Sequence, residues 1–128
     1  MSRVRNVVGM IAGGLMLLDA AAHGFAGWPG LRGELARTNA SPDLVEAVKV
    51  GWIFGSVALL AFGLVLLALF RKRLRGEPVP TAPALVIGAL VAGFGAWAFV
   101  ESGLEPFYFV FMVPGALSVF AALGPTRT

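Results

Sequence analysis

Asp19 and His23 stand four residues apart inside a long apolar run, a spacing that puts both on one face of a helix. Ionisable side chains at membrane depth are costly, so those that persist mark a structural lock or a functional group. A carboxylate and an imidazole placed this way form a coupled pair able to exchange a proton near neutral pH. With Trp28 as the outer level, Asp19 lies ~13 Å deeper and His23 ~7 Å deeper at helical rise. Ser56 lies ~6 Å inward of Trp52, and Trp97 ~6 Å inward of Glu101, by the same rise. Asp19, His23, Ser56, Trp97 and Glu101 are therefore the candidate binding residues, and Glu46, Lys49 and Glu105 would ring the mouth of their pocket. The alternative is structural: Asp19 pairs with His23, or locks two helices through one hydrogen bond.

Other chemistries lack their residues. Without cysteine there is no disulfide, thiolate metal site or thiol nucleophile. The chain holds one histidine, no His-x-x-x-His pair, no Gly-rich phosphate loop with its lysine and no Gly-x-Ser-x-Gly. No catalytic residue, metal or cofactor is expected. The net charge of +3 would suit nucleic acid, but the basic residues cluster at the ends of apolar runs. There they act as topology signals and contacts to anionic lipid headgroups, so nucleic acid is not an expected partner.

The elements that must position these residues are helical. Of the 128 residues, 58% are hydrophobic and 13% charged. Soluble domains carry about 25% charged residues, and a chain this short has too little interior to hide such an apolar excess from water. Four segments, about 4–26, 42–70, 83–102 and 106–123, reach the ~20 apolar residues that a spanning helix needs. None shows the two-residue alternation of a barrel strand. The expectation is one all-α domain over residues 1–128, a four-transmembrane-helix bundle in a bacterial-type inner membrane.

Punctuation residues mark the ends. Ser41-Pro42-Asp43 opens the second helix with a capping oxygen, a proline and an acid, and Arg71-Lys72-Arg73 followed by Gly76 closes it. Thr81 and Pro83 open the third, Gly103 ends it, Pro106 opens the fourth and Gly124-Pro125 stops it, with Pro114 expected to kink its interior. Arg3, Arg5, Arg71, Lys72, Arg73, Arg75 and Arg127 outnumber Arg32, Arg37 and Lys49 on the other side, which puts both termini in the cytoplasm. Arg3, Arg5 and the small residues after Asp19 also have the look of a cleavable signal peptide, with Asp19 itself an unusual residue ahead of a cleavage site. Between Gly27 and Ala40, Leu31 and Leu35 suit a short helix lying in the interface.

Apolar burial does not drive helix association in lipid, so small residues and close packing carry it. Gly9 and Gly13, Gly51 and Gly55, and Ala84, Gly88, Ala92 and Ala96 form stripes at four-residue spacing. These serve packing within the bundle or an oligomer seam. Trp28, Trp52 and Tyr108 read as an interfacial aromatic belt, as do the phenylalanines around Tyr108.

The stretches from Asp19 to Pro29 and from Gly51 to Ser56 give the chain a layout that resembles uncharacterised small four-helix membrane proteins of bacteria. The His23-Gly24 pair closing the first helix also resembles the DoxX family, whose members are similar in length and helix count. That resemblance implies a membrane-associated redox role. The basic residue its pattern would place next is absent, since Phe25-Ala26-Gly27 stand there, and no functional residue is carried over. The functional expectation is a structural or accessory bundle binding lipid, a second copy or another membrane protein. The alternatives are a proton-linked transporter or channel-like oligomer using Asp19 and His23, and an enzyme acting on a lipophilic substrate.

Overall fold

The computed structural model describes residues 2–124, which form helices joined by short turns, with no strand among them. Pro125 and Arg127, assigned above to the stop of the fourth helix and to the basic side, lie outside the described residues. Helix α1 is Ser2–Ala21, a π-helical segment covers Ala22–Gly27, and α2 is Trp28–Arg37. Then follow α3 at Pro42–Leu74, α4 at Ala82–Glu101, a 3-10 turn at Pro106–Tyr108 and α5 at Phe109–Ala122.

The main departure from expectation is continuity. The first span does not stop near Ala26, because helical backbone runs from Arg3 to Arg37 without a break. Pro29 lacks an N–H and its ring crowds the carbonyl one turn earlier, which normally kinks or ends a helix. Here the wider π turn directly before it provides the slack. The residues expected to form a separate interfacial helix thus continue the first one. Helix α3 also runs past Phe70 to Leu74, since Arg71, Lys72 and Arg73 are good helix formers and favour the negative dipole end. Its start is capped as expected, the Ser41 hydroxyl accepting from the Leu44 N–H at 3.3 Å. Thr81 flanks α4 without such a bond.

Three helical stretches, Arg3–Arg37, Pro42–Leu74 and Ala82–Glu101, are long and apolar enough to cross a membrane. The fourth apolar stretch, Pro106–Ala122, is shorter. Large apolar side chains face outward on α1, α3, α4 and α5, among them Leu18, Phe54, Leu90 and Phe120.

Helices α1, α3, α4 and α5 form a ring left open on one side. α3 lies against α1, α1 against α5, and α5 against α4, while α3 and α4 barely touch. Glycine permits the closest approaches. A Cβ on Gly13 would sit 3.0 Å from the Gly63 carbonyl, and one on Gly88 would sit 2.7 Å from the Gly115 carbonyl. Each neighbouring pair is also tied by a side-chain hydrogen bond. The Arg73 Nε donates to the Asn6 side-chain oxygen at 3.0 Å, joining α3 to α1. The Arg5 guanidinium donates to the Phe120 carbonyl at 3.4 Å while lying over the Phe120 ring, joining α1 to α5. The buried Ser118 hydroxyl donates to the Ala84 carbonyl at 2.8 Å, joining α5 to α4. No hydrogen bond between described side chains joins α3 to α4.

Candidate functional site

The open side of the ring holds a cavity of about 440 Å³. Gly51, Trp52, Gly55, Leu59 and Phe62 of α3 form one wall, Leu90, Val91 and Phe94 of α4 the opposite one, and Phe111 of α5 the back. His23, from the π-helical segment, lies at the Trp52 end. From Trp52 to Phe62 the wall is ~15 Å long at helical rise, half the ~30 Å hydrocarbon core of a bilayer. Among all these residues only His23 and Trp52 carry a side-chain nitrogen or oxygen.

Those two rings are held as a unit. The imidazole stacks on the indole with centroids 4.0 Å apart and planes 9° apart. The indole Nε1–H donates to the His23 backbone carbonyl at 2.7 Å. That carbonyl has two lone pairs, and the loosened π turn leaves room for a second donor. Two glycines make the approach possible. A Cβ on Gly27 would meet the Trp52 ring at 2.8 Å, and one on Gly55 would lie 3.3 Å from the imidazole Nε2. Gly51, in contrast, lines the cavity with no heavy atom near its Cβ position.

The residues expected to converge do so in part. Ser56 comes next to the His23 segment, its hydroxyl 3.2 Å from a Cβ position on Gly24, buried and without a hydrogen-bond partner. Asp19 is half-buried on α1, makes no hydrogen bond or ion pair to another described residue, and does not line the cavity. Trp97 is 60% exposed, packs on Phe94 and does not line the cavity. Glu101 ends α4 on the surface, Glu105 is exposed in the following turn, and Glu46 and Lys49 are exposed near the start of α3. These carboxylates and the lysine do not enclose His23.

Trp52 was legible only as a belt residue, and the apolar lining carried no signal in a chain apolar throughout. A hint lay in the pairing of Gly55 and Trp52 on one helix, since a glycine three residues from an aromatic leaves space beside its ring. Among the described residues no group of three or more His, Asp or Glu side chains could hold a metal. The chain matches no family model, no curated protein and no solved structure.

Proposed function

We propose that this protein is a multi-pass inner-membrane bundle that binds a lipophilic molecule entering sideways from the bilayer between α3 and α4. The observation that carries this reading is the apolar cavity on the side of the bundle where α3 and α4 face each other with little contact. Ligand sites are concave and mostly apolar with a few placed polar groups, and a volume within the usual 300–1,000 Å³ fits that description. Hydrocarbon, rather than water, borders the outward-facing leucines, valines and phenylalanines of α1, α3, α4 and α5. Both termini and the loop after α3 lie in the cytoplasm, where Arg71, Lys72, Arg73 and Arg75 meet anionic headgroups. Ligand capture is favoured over proton-linked transport because Asp19 stands outside the cavity lining.

The test is occupancy. Gly51→Leu adds a side chain where the protein leaves open space, so the variant should fold and fill the cavity. Mass spectrometry of the detergent-purified protein should find a co-purifying lipophile on the parent chain and much less on Gly51→Leu. Equal retention by both proteins would remove the cavity from the account.

A further inference from the structure

We infer that the molecule bound between α3 and α4 is an uncharged, single-chain amphiphile whose hydroxyl or carbonyl head is hydrogen-bonded by the His23 imidazole, with its tail running along Leu59 and Phe62. This deepens the reading above and rests on it.

The head chemistry follows by elimination among the lining side chains. No Lys, Arg, Asp or Glu is among them. A phosphate, carboxylate or ammonium brought here would leave water without a partner charge, a cost that dwarfs any single contact. The indole N–H is a donor only and is already given to the His23 carbonyl. That leaves the imidazole, which in its neutral form offers one donor and one acceptor. A hydroxyl can use either nitrogen, and a carbonyl can use the N–H. Stacking on Trp52 and the close wall at Gly55 fix the plane of the imidazole, so the polar contact is directional.

The tail follows from length and shape. The wall from Trp52 to Phe62 matches the depth of a single leaflet, ~15 Å, so the ligand enters with its head at the interface and its chain inward. A volume of about 440 Å³ holds one chain of that length, and the uncharged lining disfavours the phosphate of a two-chain phospholipid.

Trp52 supplies its own reporter. The chain has three tryptophans, Trp28, Trp52 and Trp97, and the other two do not line the cavity. In a Trp28→Phe/Trp97→Phe background, fluorescence quenching is measured with matched brominated twelve-carbon probes: an alcohol, a methyl ketone, an alkane, a carboxylate and a trimethylammonium. The alcohol and the ketone should quench at concentrations roughly three- to tenfold lower than the alkane, the worth of one hydrogen bond. His23→Phe, which keeps a stackable ring, should bring both down to the alkane's level while the alkane still quenches. Equal potency of alcohol and alkane with His23 in place would overturn the head assignment and leave the cavity standing, as would a preference for either charged probe. Quenching by every probe that Gly51→Leu leaves unchanged would overturn the cavity itself, and the head assignment with it.

Discussion

A single indole holds His23 in two ways, by stacking on its ring and by donating a hydrogen bond to its backbone carbonyl. The two contributions separate on substitution. Trp52→Phe keeps an aromatic face but loses the donor, and should destabilise the bundle by about 1 kcal/mol, the usual net worth of such a bond. Gly55→Ala presses a methyl group against Nε2 and should displace the imidazole, altering ligand retention more than thermal stability in detergent. Only part of this was readable beforehand. His23 stood out because a lone imidazole in an apolar run is rare, and Asp19 for the same reason. Spacing put them on one face, but it could not reveal that the imidazole turns to α3 and that the carboxylate is left unpaired. Trp52 was hidden by its position, since a tryptophan near a span end has an ordinary explanation as an interfacial anchor.

At the level of elements, the composition signals were strong where they concerned length and weak where they concerned breaks. The starts of α3 and α4 fell within one residue of expectation because a proline in the first turn marks each, joined at α3 by the Ser41 cap. The break expected near Gly27 was absent because a π turn absorbs Pro29, and nothing in the residue types distinguishes that outcome from a loop. Small-residue stripes were likewise half legible. Gly9, Gly13 and Gly88 face neighbouring helices, while Gly51 faces open space and Gly63, Gly95 and Gly115 make contacts the four-residue rule did not select. The difference is measurable. Gly115→Ala would drive a methyl group into the α4 backbone at Ala92 and should cost about 1–3 kcal/mol in detergent unfolding titrations. Gly93→Ala meets nothing and should be neutral or slightly stabilising. The turn after α4 contains a separate defect, because Leu104 adopts φ 71°, a region that costs a leucine roughly 1–2 kcal/mol. Leu104→Gly should recover up to about 1 kcal/mol of that in the same titration.

For the whole molecule, the natural absence of cysteine makes topology directly testable, since any introduced thiol is unique. Thiols placed at Arg75 or Gly76 should react with membrane-impermeant maleimide only after the cells are opened, and thiols at Thr38 or Ser102 in intact cells; the reverse pattern would invert the assigned orientation. The open side of the ring has a mechanical meaning as well. Each of the three packed seams carries its own side-chain hydrogen bond, at Arg73, Arg5 and Ser118, and the open side carries none among the described residues. The side between α3 and α4 is therefore the one held by the fewest contacts among adjacent helices. In a bilayer, moving α3 away from α4 would break none of these three bonds, so the pressure of the surrounding lipid should set the width of the aperture.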